Sequence, residues 1–308
     1  MEEKINSDRE PLFSICIPTY NRAPYLMITL QNITQQPIFT TTHDVEIVIS
    51  DNCSTDNTQE VALKFKDMFP DKIIYSRNQT NIYDANFEKA LSLGHGAFLK
   101  LHNDTLLFKD DALEKCVSII RSNSAAKPVL FFTNSSGPVI DDIIACEGLD
   151  AFIKATSFMI TWIGGFGIWK CEIGTMQPLS AYSRTQLLQT KVILELVKQH
   201  YYSIVINIPL FTGQIMKKNA YDVLGIMGSN YLSICREYIY PSGISEKTFN
   251  QEKRHILWGQ IIPYYFNMGD FRYPLKSNNW GIFYNEYKYN WYLYFSPIII
   301  IIYYIYKL

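Results

Sequence analysis

Short apolar runs alternate with longer amphipathic stretches over the first 125 residues of the chain. The runs are rich in β-branched and aromatic residues, which is typical of buried strands, and they lie at 13–18, 45–50, 72–78 and 97–104. The stretches between them repeat apolar residues at helical spacing. Strands that alternate with helices predict an α/β fold, in which a mixed, mainly parallel sheet is flanked by helices.

The pattern is looser after residue 126. A cluster of glycines, at Gly164, Gly165 and Gly167, indicates flexible backbone or a close approach to another group. The other elements are predicted in chain order as a strand at 129–134, a helix at 185–199, a strand at 202–211 and mainly helical residues from 217 to 259.

These elements predict one domain at residues 1–225 and a helical extension at 226–308. Within the domain, residues 12–125 form the half that carries the ordered strand and helix pattern, and residues 126–225 form the other half.

The chain ends in an uncharged apolar segment at 289–306 that Pro297 interrupts. This segment is short for a membrane span, which needs about 20 apolar residues. Two interpretations stay open, a buried terminal helix or strand and a segment that associates with a bilayer through its tyrosine and tryptophan rings. The membrane interpretation is favoured, because an exposed run this apolar would otherwise promote aggregation.

Composition excludes two broad classes. Of the 308 residues, 48% are hydrophobic and the formal net charge is −1, so the chain is neither disordered nor a nucleic-acid binder identified by its charge. The six cysteines have no metal or redox spacing, which favours buried free thiols in a reducing compartment. The charged residues at 1–10 do not resemble a signal peptide, so we expect a cytoplasmic protein.

Polar clusters follow three of the predicted strands. They lie at 19–22, at 51–52 and at 102–104. Ligands of parallel α/β sheets bind beyond the carboxyl ends of the strands, so these clusters predict a binding site.

Four segments carry a resemblance to a known family: SICIPTYNRAPYL at 14–26, VEIVISDNCSTDNTQEV at 45–61, NQTNIYDANFEKAL at 78–91 and LKLHNDTLL at 99–107. In order and spacing they resemble family 2 of the glycosyltransferases with the GT-A fold, which is Rossmann-like, and within it the bacterial enzymes that build O-antigen. The resemblance is strong over residues 12–125 and looser over 155–225. It implies that residues 12–125 bind the nucleotide sugar and that residues 126–225 bind the acceptor.

The resemblance implies roles for the polar clusters. Asp51 matches the aspartate that binds the base of the nucleotide sugar, and Thr19 and Arg22 match positions beside the base and the phosphates. Arg77 could reach the diphosphate, although a surface salt bridge explains it almost equally well. The remaining residues assigned to the nucleotide-sugar site are Tyr20, Asn52, Asp84 and Asn103.

The family's acidic metal-binding motif falls on residues 102–104. A divalent cation, Mn²⁺ or Mg²⁺, held there by carboxylate and phosphate oxygens would neutralise the departing nucleoside diphosphate. Asp104 is the best metal ligand, with His102 as a second candidate. The chain departs from the motif at Asn103 and Thr105, where acids are common, and a glycine usual after Asn81-Ile82 is missing.

The implied reaction is an inverting sugar transfer from a nucleotide-sugar donor to a lipid-linked oligosaccharide of O-antigen synthesis, at the cytosolic surface of the membrane. The general base that it needs is not identified by the sequence. Asp222 and Glu172 are candidates, and each has an ordinary surface role as its alternative.

Two competing functions remain. A catalytically degenerate relative would bind nucleotide sugar or a partner enzyme without turnover. A nucleotidyltransferase would need a glycine-rich basic loop after the first strand, and PTYNRAPYL has no such loop.

Overall fold

The computed structural model describes residues 10–134, 142–174, 187–215, 225–265 and 280–290. Its central sheet has five strands in the order β3-β2-β1-β4-β8. The strands are β1 (Phe13–Thr19), β2 (Val45–Asp51), β3 (Ile73–Arg77), β4 (Phe98–Leu101) and β8 (Gly167–Trp169). The first four are parallel and β8 is antiparallel to β4, which confirms the mixed, mainly parallel sheet.

Helices cover both faces of this sheet, as expected. They are α1 (Ala23–Thr34), α2 (Pro37–Thr41), α3 (Thr58–Met68), α4 (Ala85–Ser92) and α5 (Ala112–Asn123). Alternate residues of a strand point to opposite faces. Ile15 and Ile17 of β1 therefore join the apolar cluster that contains α1, α3 and α5, whereas Cys16 joins the cluster that contains α4.

A second sheet has three strands in the order β6-β9-β7, and a two-stranded ribbon joins β5 to β10. The single strand expected at 202–211 is divided into β9 and β10, because Pro209 has no N–H for a ladder and the chain turns there, with the Leu210 N–H bonded to the Ile208 carbonyl at 2.9 Å. The bounds are β5 (Leu106–Phe108), β6 (Val129–Phe132), β7 (Ile143–Glu147), β9 (Tyr202–Ile206) and β10 (Phe211–Gly213), with helices α6 (Gly148–Thr156) and α7 (Leu188–His200).

The described residues after 225 are largely helical, as the pattern predicted. The segments are π-helical Ile226–Tyr231, α8 (Leu232–Glu237), α9 (Glu246–Ile256), π-helical Leu257–Ile261, α10 (Ile262–Tyr265) and α11 (Trp280–Tyr287). Tyr231 and Ile256 belong to the same apolar cluster as Phe152 of α6 and Val192 of α7. The extension thus packs on the preceding elements, and the domain boundary after residue 225 stays a prediction.

None of the helices in the described ranges is long and apolar enough to span a bilayer. From residue 291 onward the apolar segment predicted to associate with membranes lies outside these ranges.

All six cysteines are free thiols. Cys16, Cys116, Cys146 and Cys235 are buried, as the sequence predicted, whereas Cys53 is half-buried and Cys171 is exposed. The prediction of buried thiols is therefore wrong for the last two.

Candidate functional site

The three polar clusters meet at one edge of the central sheet. Since β1, β2 and β4 are adjacent and parallel, their carboxyl ends lie side by side, with Thr19 in register with Asp51. A cleft of about 270 Å³ opens at this edge. It is lined by six of the predicted site residues, namely Thr19, Tyr20, Arg22, Asn52, Asn103 and Asp104.

Asp104 is held in place from several directions. Thr19 Oγ1 donates to Asp104 Oδ2 at 2.8 Å, and Arg22 Nη1 lies 3.3 Å from Oδ1. Thr29 of α1 donates to the Asp104 backbone carbonyl at 2.8 Å. Burial raises the pKa of the Asp104 carboxyl above its usual value, while Arg22 and Thr19 act in the opposite direction. The result is a rigid carboxylate on the wall of the cleft.

Asn103 also faces the cleft, and its Oδ1 is buried with no hydrogen-bond partner among the described residues. A Cβ on Gly164 would lie 3.1 Å from this oxygen and 2.4 Å from the Trp162 ring, so glycine is needed for the loop to approach this closely. The close approach that the glycine cluster indicated is therefore confirmed. An amide oxygen beside a carboxylate provides two oxygen ligands of the kind that Mg²⁺ and Mn²⁺ bind.

The Asp104 carboxylate and the Asn103 amide oxygen are too few ligands to hold a metal ion without others. Across the described ranges, no group of three or more His, Cys, Asp or Glu side chains is arranged as a metal site. Asp104 and Asn103 therefore fit a cation whose other ligands come from a bound diphosphate and water.

His102 is placed in an aromatic cluster behind the cleft. Its side chain is fully buried, its ring stacks on Phe108 at 4.9 Å, and its Nε2 donates to the Leu106 carbonyl at 3.0 Å. Burial lowers the pKa of His102 to about 3, and the charge of Lys100 adds to the effect. The metal role of His102 stays a prediction, and the contacts favour a structural role, in which the ring fixes the turn between β4 and β5.

Asp51 is fully buried and does not line the cleft. Its Oδ1 accepts from the Ser54 N–H at 2.8 Å, and its Oδ2 accepts from Tyr75 Oη at 3.0 Å. Arg77 Nε lies 3.5 Å from Oδ2, so Arg77 forms an ion pair with Asp51, as its salt-bridge alternative anticipated. Base binding by Asp51 stays a prediction, and because the carboxylate is fully buried, Tyr75 or Arg77 would have to move for a base to reach it.

Asn52 organises the loop that follows β3. It accepts from the Ile82 N–H at 2.8 Å and donates to Asn81 Oδ1 at 2.7 Å. Asp84, at the start of α4, is half-buried and outside the cleft lining, and burial raises its pKa.

The cleft includes residues that were not assigned to the nucleotide-sugar site. Asn86, Phe87 and Ile163 line it. Asn86 is locked in place because its Oδ1 accepts from Ser50 Oγ at 2.7 Å and its Nδ2 donates to the Ser50 carbonyl at 2.9 Å. The NIYDAN segment could have indicated Asn86, but nothing local in the sequence places Ile163 beside the ends of β1 and β4.

The two candidates for the general base do not gain support. Glu172 follows β8, and because β8 is antiparallel to β4, Glu172 lies at the opposite edge of the sheet from the cleft. There it faces His200 at 3.2 Å, a position that gives no support to a role as base, so that role stays a prediction. Asp222 lies outside the described residues.

Comparison with known proteins agrees with this architecture. Residues 14–147 match the model of glycosyl transferase family 2. The abequosyltransferase RfbV of Salmonella typhimurium (strain LT2) is 42% identical over 105 residues, which cover 34% of this chain and 29% of that protein. The matched region therefore spans less than a third of that relative.

Two solved structures show the same fold at low identity. S. aureus TarS 1–349 in complex with UDP-GlcNAc has a TM-score of 0.55 and 16% identity, over 89% of this chain and 79% of that one. The mannosyltransferase PcManGT of Pyrobaculum calidifontis, in complex with GDP-Man and Mn²⁺, has a TM-score of 0.50 and 14% identity, over 82% of this chain and 71% of that one. The fold is that of the GT-A glycosyltransferases.

Proposed function

The chain contains a glycosyl transferase family 2 domain at residues 14–147, and we propose that it transfers a sugar from a nucleotide-sugar donor to an acceptor glycan. The observation that carries this proposal is the convergence of Thr19, Arg22 and Asp104 on one cleft at the carboxyl edge of the sheet. Nucleotide ligands of α/β sheets bind at this edge. TarS and PcManGT, which have the same fold, are complexed with nucleotide sugars.

In the inverting reaction we propose, the acceptor hydroxyl oxygen bonds to the anomeric carbon while the bond from that carbon to the diphosphate breaks on the opposite face. The hydroxyl proton passes to a general base. Negative charge develops on the departing nucleoside diphosphate, so a cation beside it lowers the barrier. The Arg22 side chain, 38% exposed at the cleft, supplies a guanidinium there.

A divalent cation, Mn²⁺ or Mg²⁺, is the proposed cofactor. Asp104 and Asn103 would hold it together with phosphate oxygens of the donor, and the bound cation would neutralise the leaving group. The presence of Mn²⁺ in the PcManGT complex supports this choice. Thr19 and Arg22 hold the Asp104 carboxylate in place for either cation.

One observation favours a second function, the binding of nucleotide sugar without turnover. Among the described residues that line the cleft, Asp104 is the sole carboxylate, and its two oxygens already face Thr19 and Arg22. A base for the acceptor hydroxyl is thus not assigned. Turnover separates the two functions, because a binder retains the donor unchanged.

The first experiment is a thermal-shift screen against UDP, GDP, CDP and dTDP, each with and without Mn²⁺. A nucleotide present at 100 times its dissociation constant should add about 2.7 kcal/mol to the free energy of unfolding. Stabilisation by one nucleotide, followed by release of that nucleoside diphosphate from its sugar derivative when acceptor is added, supports the transferase. Stabilisation without release supports the binder. No stabilisation by any of the four contradicts both.

The proposed acceptor is a lipid-linked oligosaccharide of O-antigen synthesis, met at the cytosolic face of the membrane. The similarity to an abequosyltransferase and the apolar segment at 289–306 support this assignment. We expect label from the radioactive nucleotide sugar to enter a butanol-soluble product when bacterial membranes are added. We also expect the protein, but not a variant truncated after residue 288, to sediment with phosphatidylglycerol vesicles. Label found only in water-soluble glycans would contradict the lipid-linked acceptor.

A further inference from the structure

A second cleft, the helical cleft, lies between α6 and α9 and has a volume of about 490 Å³. It is larger than the cleft at the sheet edge and shares no lining residue with it. Its size falls within the range of roughly 300–1,000 Å³ that is usual for small-molecule sites. Six of the residues that line it are Lys154, Ser157, Gln251, Arg254, His255 and Trp258.

Ser157, on the wall of the helical cleft, has an unusual backbone conformation. Its φ of 49° and ψ of −147° lie close to a region that is adopted almost only by glycine. Strain of this kind persists where the surrounding contacts impose it, and it is concentrated at functional sites. Here the strained residue directs its hydroxyl to two side chains of α9, since Ser157 Oγ lies 2.7 Å from Glu252 Oε1 and 2.9 Å from His255 Nδ1.

Hydrogen bonding fixes the tautomer of His255. Glu252 is 5% exposed, and its Oε1 accepts from Ser157 Oγ and from Tyr231 Oη, the latter at 3.2 Å. Burial raises the pKa of Glu252, while the hydrogen bond from Ser157 acts in the opposite direction. Because Ser157 gives its single proton to Glu252, it accepts from His255 Nδ1–H. In the neutral imidazole, Nε2 is therefore left as a hydrogen-bond acceptor on an exposed ring.

The other side chains of the helical cleft offer the complementary groups. Arg254 makes no ion pair within the described part of the chain, and its guanidinium can donate two hydrogen bonds to a carboxylate or a phosphate. Gln251 adds an amide donor and acceptor, and the half-buried Trp258 adds an aromatic surface of the kind that covers the apolar face of a sugar ring. Lys154 already has a partner, since its Nζ lies 2.5 Å from Asp150 Oδ2.

We propose that the helical cleft is a second carbohydrate-binding site, which takes a saccharide that carries an anionic group. The acceptor nitrogen of His255 and the amide of Gln251 bind sugar hydroxyls, Trp258 covers a face of the ring, and Arg254 binds the anionic group. That group is either the carboxylate of a uronic acid or a phosphate ester. The site is independent of the donor cleft, so it stands or falls separately from the proposed transferase activity.

The test is a titration of the full chain, observed by saturation-transfer difference NMR. The probes are methyl glucuronide, glucose 6-phosphate, methyl glucoside and inorganic phosphate. We expect one of the two charged sugars to bind about tenfold more tightly than methyl glucoside, which is the discrimination given by one charge-assisted hydrogen-bond pair. The preferred sugar distinguishes the carboxylate from the phosphate source. Arg254→Gln should remove the preference, and Trp258→Leu should weaken both charged and neutral sugars about tenfold.

Matched variants keep the result interpretable. Lys64→Gln removes an exposed cation from α3 and should leave all affinities unchanged. Circular dichroism of each variant establishes that it is folded, and Gln251→Ala provides a milder loss of binding if Trp258→Leu does not fold. The proposal is overturned if no sugar binds, if charged and neutral sugars bind equally, or if inorganic phosphate binds as tightly as the sugars. It is also overturned if Arg254→Gln has no effect, or if UDP displaces the sugar, which would place binding in the donor cleft.

Discussion

Asp104 is the side chain on which the proposed cation site depends most. Its carboxylate accepts from Thr19 and faces Arg22, so it is oriented before any ligand arrives. Asp104→Asn keeps the shape but removes the charge that a cation needs, and we expect kcat to fall about 100-fold or more, as is usual when several kcal/mol of leaving-group stabilisation are lost. The measurement is nucleoside diphosphate release as a function of Mn²⁺ concentration. Asp67→Asn, on the exposed surface of α3, is the control, and equal activity of the two variants would contradict the assignment.

Lys100 gives a prediction that depends on pH. It is fully buried, donates to the Gly164 carbonyl at 2.5 Å, and its Nζ lies 4.5 Å from the Phe211 ring centroid. Burial lowers the pKa of Lys100 to about 8, whereas in the unfolded chain it has its ordinary value near 10.5. Between these two values the unfolded state binds more protons, so the free energy of unfolding should rise with pH.

The comparison that isolates this effect is wild type against Lys100→Met, by urea unfolding from about pH 8 to about pH 10. The free energy of unfolding of the wild type should increase relative to the variant, with a limiting slope of about 1.4 kcal/mol per pH unit for one group. A difference that is constant with pH would mean that Lys100 keeps its proton in the folded state.

Residue chemistry was easier to predict from the sequence than residue burial. Thr19, Arg22 and Asp104 were selected by their positions after strands, and they do meet in the cleft. Asp51 and His102 were selected in the same way, but both are fully buried, because Tyr75 and Phe108 cover them from other parts of the chain. Such contacts depend on tertiary packing, which strand-end patterns do not encode.

At the scale of elements, the strands of the central sheet follow the predicted pattern because each is a compact apolar run. β7 was missed, since its apolar run has only four residues, at 143–146, and follows a polar stretch. β8 was hidden in the glycine cluster, where three residues pair with β4. Glycine has no strand propensity of its own, so only its close contacts reveal why it is there.

Gly165 allows the close contacts of the glycine cluster to be tested by a substitution. A Cβ at this position would lie 2.5 Å from the Phe132 carbonyl oxygen, which is backbone and cannot move aside cheaply. We expect Gly165→Ala to lower the free energy of unfolding by about 1–3 kcal/mol through overpacking. Gly174→Ala is the matched control, because nothing lies within 4 Å of its Cβ. Equal free energies of unfolding of the two variants in urea would show that the backbone at Gly165 and Phe132 can move apart at no cost in stability.

At the scale of the whole molecule, the two apolar clusters lie on opposite faces of the central sheet, and one of them continues into the C-terminal helices. The sequence predicted these helices and a boundary at 225/226, because the helical period is local. It could not predict that Ile256 and Tyr231 pack with Phe152, since contacts between residues about 100 positions apart leave no periodic trace.

This continuity predicts that the chain unfolds as one cooperative unit. Ile256 is fully buried in the cluster that also holds Leu99 and Leu101 of β4. Ile256→Ala should therefore cost about 2–5 kcal/mol of unfolding free energy, the usual range for deletion of a large aliphatic side chain in a core. Ile28→Ala, whose parent side chain is 46% exposed on α1, should cost much less.

Hydrogen exchange in increasing urea reports the unit that unfolds. If the sheet and the C-terminal helices form one unit, amides of β1 and of α9 lose protection at the same urea concentration, and Ile256→Ala shifts both together. Loss of α9 protection alone, with β1 unaffected, would instead establish the predicted boundary after residue 225 as a real division of the core.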